Sequence, residues 1–327
     1  MKIVYLGSGD IGLPTLRALL EAHRAGRHEL LAVVTQPDRP SGRGQIIKPG
    51  PIKALALEAG VPVLQPERLR RPEAVEALRA LAADVFVVFA YGQILPPSVL
   101  ALPSAACLNL HASLLPRWRG AAPIHAAVLA GDRESGLAVM YMDEGLDTGD
   151  VLLERRVPID RFDTAGALHD RLAELAPEAL FEALGLLAAG NAPRRPQDNT
   201  LATYAPKLER RSGLIDWTRP AGDIERVVYG MTPWPGAFTY LPGENGGPAR
   251  LLKVFAASTT PELAAGKPGE VLAQTDDGSL FAVATGQGNL ALMEVQLEGK
   301  RRLRAEEFLR GHPLAAGTLL GQTSHHT

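Results

Sequence analysis

The chain opens on a short apolar run, KIVYL at residues 2–6, and behind Pro14 the apolar positions Leu16, Leu19 and Leu20 recur at helical spacing. The same alternation continues. ELLAVVT (29–35) reads as a second strand, PIKALALEAG (51–60) as a helix and VPVLQ as a third strand. RPEAVEALRALAA follows as a helix, and DVFVVFA (84–90) as a fully buried strand. ACLNLHA and GLAVMYM (136–142) add two more strands, and a long helical stretch spans 167–190. Continuously apolar strands alternating with helices predict an α/β domain over 1–190 with a Rossmann-like, doubly wound, mainly parallel sheet. In such sheets ligands bind beyond the carboxyl ends of the strands.

After residue 190 the rhythm changes. Residues 191–207 (NAPRRPQDNTLATYAPK) lack periodicity and are rich in turn formers, which predicts a linker. RLLKVFAA, GEVLAQT, SLFAVATG and NLALMEVQL then read as short strands separated by Gly, Pro and Asp. They predict a small β-barrel like an oligonucleotide-binding (OB) fold over 208–321, with a disordered tail at 322–327. No internal repeat is visible.

Composition narrows the function classes. Of 327 residues, 46% are hydrophobic and 21% charged, the balance of a soluble globular protein. One cysteine, Cys107, cannot form an intramolecular disulfide and suits a reducing cytoplasm. MKIVYLGSGD passes directly into a strand with no cationic leader, and no apolar run is long enough to span a bilayer. A cytoplasmic monomer without membrane contact is the expectation. A formal net charge of −2 exerts no general pull on nucleic acid, so any such partner must be held by local patches.

Gly7, Gly9 and Gly12 form G-x-G-x-x-G between a strand and a helix, where a dinucleotide fingerprint would sit. The acid expected at the end of the second strand is missing. That strand ends at Thr35-Gln36-Pro37, with Asp38 only beyond the proline. A structural turn is therefore favoured over a nicotinamide oxidoreductase.

The chemistry points to a different strand. Alternation in ACLNLHA sets Cys107, Asn109 and His111 on one face and Leu108 and Leu110 on the other. Asn109 and His111 thus lie side by side where the crevice of a parallel sheet opens. An amide N–H can hold a developing oxyanion, and an imidazole can exchange a proton near neutral pH. MDEGLDTGDVL supplies a carboxylate, Asp147 or Asp143, on a glycine-bracketed loop. A carboxylate beside an imidazole favours its charged form and fixes its tautomer. Asn, His and Asp without a nucleophilic Ser or Cys motif suggest direct acyl transfer, in which an amine itself attacks.

The segment LNLHASLLPRWRGAAPIHAAVLAGD, followed by GLDTGDVL, closely resembles the folate-dependent formyltransferases. TQPDRPSGRG (35–44), FAYGQILP (89–96), GLIDWTRPAGDIERVVYGMTPWPGAF (213–238) and EGKRRLRAEEFLRG (298–311) extend the resemblance along the chain. The last two segments resemble the branch whose acceptor is methionyl-initiator tRNA, and they argue against a sugar or purine amine acceptor. The resemblance implies transfer of formyl from 10-formyl-tetrahydrofolate to the amino group of that tRNA. Asn109 would bind the formyl oxygen, and His111, paired with Asp147, would stabilise the oxyanion and assist proton transfer. Ser113, Leu114, Leu115 and Pro116 would contact the folate, with Tyr91, Gly92 and Ile94 helping to wall the pocket. No metal is implied, because the donor is already activated and needs only alignment and charge stabilisation.

The tRNA side rests on local charge. QPDRPSGRGQIIKPGPIK carries Arg39, Arg43, Lys48 and Lys53 in a Gly/Pro-rich loop able to reach phosphates, and Arg43 is the position the resemblance singles out. Lys300, Arg301, Arg302 and Arg304 form the densest basic run of the second domain, which from Leu208 onward otherwise balances 12 Lys and Arg against 13 Asp and Glu. Two departures stand out. GSGDIGLP replaces the family's usual Gly-Thr-Pro turn, and Gln45-Ile46-Ile47 stands where lysines commonly follow Gly-Arg-Gly. Fewer loop cations release fewer counterions, so tRNA affinity should fall less steeply with salt than in lysine-rich relatives. Binding titrations across a salt series check this; an equally steep slope contradicts it.

Overall fold

Strand β1 (Lys2–Gly7) is buried from Ile3 onward and is an interior strand of a seven-stranded sheet. This computed structural model describes residues 1–41, 46–243, 247–261, 265–272 and 280–321. The chain divides into two units. The first comprises Met1–Ile124, Glu134–Pro158 and Leu168–Ala205; the second comprises His125–Arg133, Ile159–Ala167 and Pro206–Thr327.

The remaining strands of that sheet, all in the first unit, are β2 (Glu29–Val34), β3 (Val63–Leu64), β4 (Val85–Phe89), β5 (Ala106–His111), β6 (Glu134–Tyr141) and β7 (Val151–Pro158). They run in the order β7-β6-β5-β4-β1-β2-β3. β1 through β5 pair in parallel, as their unbroken apolar character predicts. β6 is the exception, because it lies antiparallel to both β5 and β7. Its apolar run reflects burial among neighbours on both faces and carries no information about direction. β7 was not legible as a strand, since VLLERRVP becomes polar halfway along.

The helices Leu13–Arg24, Pro51–Glu58 and Pro72–Arg79 each carry a proline in the first turn, where its missing N–H costs nothing. Val75, Leu78 and Val99 pack with Val4, Leu6, Phe86 and Val88 of the sheet. No helix among the described residues is long and apolar enough to cross a membrane.

The second unit carries an antiparallel sheet of β8 (Ala237–Leu241), β9 (Arg250–Thr260), β10 (Phe281–Ala284) and β11 (Asn289–Leu297) in the order β8-β9-β11-β10. The two-residue strand β12 (Leu303–Arg304) pairs with β11. Register shifts between Val254 and Ala257 bend β9, and the sheet curls into a half-barrel. Its core joins Leu252, Val254, Phe281 and Val295 to Ile224 and Val228 of the helix Ala221–Gly230. That helix and β8 are absent from the strand pattern of the sequence. Of GEVLAQT, the described residues give only two isolated bridges, Glu270 with Leu319 and Val271 with Val283. The tail 322–327 lies outside the described residues.

The glycine-rich turn after β1 is filled by a protein side chain. Tyr5 is fully buried, its hydroxyl donates to the Gly12 carbonyl at 3.2 Å, and burial pushes that hydroxyl well above its ordinary pKa. A Cβ at Gly12 would lie 2.0 Å from Tyr5 Oη and one at Gly7 2.6 Å from the same ring. The glycines accommodate a tyrosine. Gly12→Ala should therefore cost about 1–3 kcal/mol by overpacking, and Tyr5→Phe should relieve much of that penalty. Thermal unfolding of the two single variants and the double variant checks this; strictly additive losses would contradict it.

Candidate active site

β5 ends at the edge of the parallel part of the sheet, and its alternation is as the sequence implies. Leu108 and Leu110 are buried, whereas the half-buried Asn109 and the buried His111 belong to the other face. Among the described residues the Asn109 side chain makes no hydrogen bond, which leaves its amide available.

His111 is held from two sides. Its Nε2 lies 2.9 Å from the Trp118 carbonyl. A carbonyl only accepts, so Nε2 carries the proton. Nδ1 faces Asp147 Oδ2 across 3.7 Å, and the same oxygen accepts the Gly120 N–H at 2.8 Å. Both residues that contact the imidazole, Trp118 and Asp147, adopt left-handed backbone conformations with φ of +61° and +54°. Non-glycine residues seldom adopt this region, and doing so costs free energy that surrounding contacts must offset. Asp143, the other carboxylate considered, is used differently: it accepts from Gly145 N at 3.0 Å and Thr148 Oγ1 at 2.7 Å, closing its own loop.

Residues that sequence reasoning missed build the frame around this pair. Arg119 is only 2% exposed, yet among the described residues its side-chain partners are neutral: Gln197 Oε1, which receives Nε and a second guanidinium nitrogen at 3.1 and 2.7 Å, and Asn199 Oδ1 at 2.8 Å. Gln197 Nε2 donates onward to the Asp147 and Gly149 carbonyls at 2.8 and 2.7 Å. Thr203 Oγ1 accepts the Trp118 N–H at 2.9 Å, and Tyr204–Ala205 pair in parallel with Arg119–Gly120. The stretch 191–207, read as a linker, is thus docked on the first unit over much of its length. Its turn formers build irregular backbone with specific partners, a use that composition does not distinguish from a free connection.

The folate-candidate loop is built locally. Ser113 is buried and donates to the Arg117 carbonyl at 2.7 Å, and Leu115 packs on Ala138, Met140 and Val151. Leu114 and Pro116 are half-buried, and the Leu115–Pro116 peptide is cis. Tyr91 belongs to the core beside Leu95 and Val99, where burial pushes its hydroxyl up to about 12, while its carbonyl accepts from Gln36 Nε2 at 3.2 Å. Gly92 has φ of +81° and Ile94 is 90% exposed.

Among the basic candidates, Arg39 and Lys48 are exposed, and Arg43 lies outside the described residues. Lys53 is committed to Asp38 at 2.5 Å and Gln65 Oε1 at 2.6 Å; the hydrogen bonds that Asp38 accepts, first from Lys53 and then from Gln65 Nε2 at 3.1 Å, hold its carboxyl below its ordinary pKa. In the second unit Lys300, Arg301 and Arg304 are exposed. Arg302 pairs with Glu294 and lies over the Phe255 ring at 4.3 Å.

Residues 1–184 match the family model for formyl transferase, and residues 207–313 match that for the formyl transferase C-terminal domain. The molecule is therefore an enzyme of the formyltransferase class. A methionyl-tRNA formyltransferase of Geobacter sulfurreducens is 47% identical over 322 residues, covering 98% of this chain and 97% of that protein. One from Pseudomonas fluorescens is 49% identical over 323 residues, covering 98% of each. The chain belongs to the methionyl-tRNA formyltransferase family. Among solved structures, HypX from Aquifex aeolicus in complex with tetrahydrofolic acid shares the fold with a TM-score of 0.59 at 22% identity, over 94% of this chain and 47% of that one. The sugar 3N-formyltransferase WlaRD shares it with a TM-score of 0.64 at 17% identity, over 92% and 99%.

Gly120 tests the frame without touching a side chain. Its φ is +115°, and an added Cβ would meet the Ala205 carbonyl at 2.7 Å. Gly120→Ala should lower the melting temperature by several degrees, on the order of 2–4 °C per kcal/mol. Gly185, in the helix Ala165–Ala188 with nothing within 4 Å of its would-be Cβ, should gain about 0.5–1 kcal/mol on substitution by Ala. Calorimetry of both variants checks the contrast; equal effects would contradict it.

Proposed function

We propose that the protein transfers a formyl group from 10-formyl-tetrahydrofolate to the α-amino group of methionyl-initiator tRNA. The observation that carries this reading is His111 fixed between the Trp118 carbonyl and Asp147, beside the unengaged amide of Asn109. Relatives that align over nearly the whole chain are named for formyl transfer to methionyl-tRNA, which supports this reaction and class of acceptor.

The chemistry is direct acyl transfer. The methionyl nitrogen attacks the formyl carbon and the carbonyl π pair becomes an oxyanion. Collapse of that intermediate expels N10 of the folate, which takes up a proton, while the former amine gives one up. The products are formylmethionyl-tRNA and tetrahydrofolate. Asn109 offers amide N–H groups to the oxyanion, and donors fixed before the reaction cost no reorganisation during it. His111, oriented by Trp118 and Asp147, adds electrostatic stabilisation and handles the proton. The turn Ser113–Pro116 and the exposed Ile94 with Gly92 offer the folate its contacts, the Tyr91 ring serving as packing behind them. Arg39, Arg43 and Lys48 in the first unit, and Lys300, Arg301 and Arg304 in the second, contact tRNA phosphates. Arg302 is already engaged by Glu294 and contributes less.

Formyl transfer to methionyl-initiator tRNA by His111→Ala, Asn109→Ala and Asp147→Asn checks the assignment. Each should lose about 10²–10³ in kcat, with the KM for tRNA little changed. Loss confined to KM, with kcat intact, would contradict the catalytic roles.

A further inference from the structure

Arg119 is a buried cation that meets no carboxylate among the described residues. Its guanidinium is satisfied by the amide oxygens of Gln197 and Asn199. A buried charge is costly to desolvate, and neutral acceptors return less than an ion pair would. Such an arrangement is poorly explained by stability alone. Its position suggests another reason. Arg119 lies between Trp118, whose carbonyl holds His111 Nε2, and Gly120, whose N–H holds Asp147 Oδ2.

Gln197 completes the connection. Its oxygen must face Arg119, which only donates, and its nitrogen must face the Asp147 and Gly149 carbonyls, which only accept. The amide orientation is therefore determined by its partners. One amide thus links the guanidinium of Arg119, the residue between Trp118 and Gly120, to the backbone of Asp147 and Gly149. Gly149 is fixed in turn, since a Cβ there would sit 1.8 Å from the Tyr141 carbonyl. The left-handed conformation of Asp147 (φ +54°) needs restraint of this kind.

We propose that Gln197, oriented by Arg119, is a positioning residue that sets the Asp147 carboxylate against His111. It touches neither substrate and acts through the backbone of residues 147–149. The inference rests on the catalytic reading of His111 and Asp147 given above.

The discriminating variant is Gln197→Glu. A carboxylate keeps, and strengthens, the contact with Arg119, yet it cannot donate to the Asp147 and Gly149 carbonyls. Thermal stability should therefore hold while kcat falls about 10- to 100-fold, the scale of a small misplacement of a catalytic group. KM for both substrates should change less than threefold. Gln197→Met, of similar length and without hydrogen bonds, should also lower kcat but with a loss of melting temperature. In an Asp147→Asn background, Gln197→Glu should cost little more, because both changes act on the same contact. A folded Gln197→Glu enzyme with wild-type kcat, or a fully additive loss with Asp147→Asn, would overturn the proposal. Undiminished turnover in His111→Ala would instead withdraw the catalytic reading and this inference with it.

Discussion

Asp147 Oδ2 accepts the Gly120 N–H and faces His111 Nδ1, and this one oxygen ties three stretches of chain together. The strand that carries His111, the loop after it and the loop between β6 and β7 must all arrive correctly for the contact to exist. Two of the local backbone conformations involved are unfavourable for the residues that adopt them, Trp118 and Asp147. The surrounding hydrogen bonds from Thr203, Gln197 and the Tyr204–Ala205 pairing hold them in place. The site is thus specified by backbone restraint as much as by the identities of its polar side chains.

The parallel core and the position of Asn109 and His111 were legible because both depend on local periodicity. A buried strand is apolar throughout, and alternation alone assigns faces at its end. The direction of β6 was not legible, since pairing is a tertiary choice that the apolar pattern of 134–141 leaves open. The residue pattern alone left the choice between Asp143 and Asp147 open, and the family resemblance selected Asp147: both sit in one glycine-rich loop, and folding turns Asp143 onto Thr148 and Asp147 toward His111. Arg119, Gln197 and Asn199 escaped notice because the partners of the cation are some 80 residues away and neutral. No spacing or charge pattern announces such a clasp.

The amino-terminal turn shows how one sequence pattern serves different ends. G-x-G-x-x-G usually brings a pyrophosphate to a helix terminus. Here the absence of a Cβ at Gly7 and Gly12 makes room for Tyr5, whose hydroxyl donates to the Gly12 carbonyl. The deciding clue in the sequence was the missing acid after β2. In the structure Asp38, beyond the proline, is bound by Lys53 and Gln65 instead.

The central claim is that this frame carries formyl transfer to a charged initiator tRNA. Its most direct test is a single-turnover reaction of the wild-type protein with 10-formyl-tetrahydrofolate, run in parallel on initiator and elongator methionyl-tRNA. The account predicts rapid formylation of the initiator and little or none of the elongator. A folded protein that binds tetrahydrofolate but formylates neither tRNA would contradict it and move the acceptor to another class of amine.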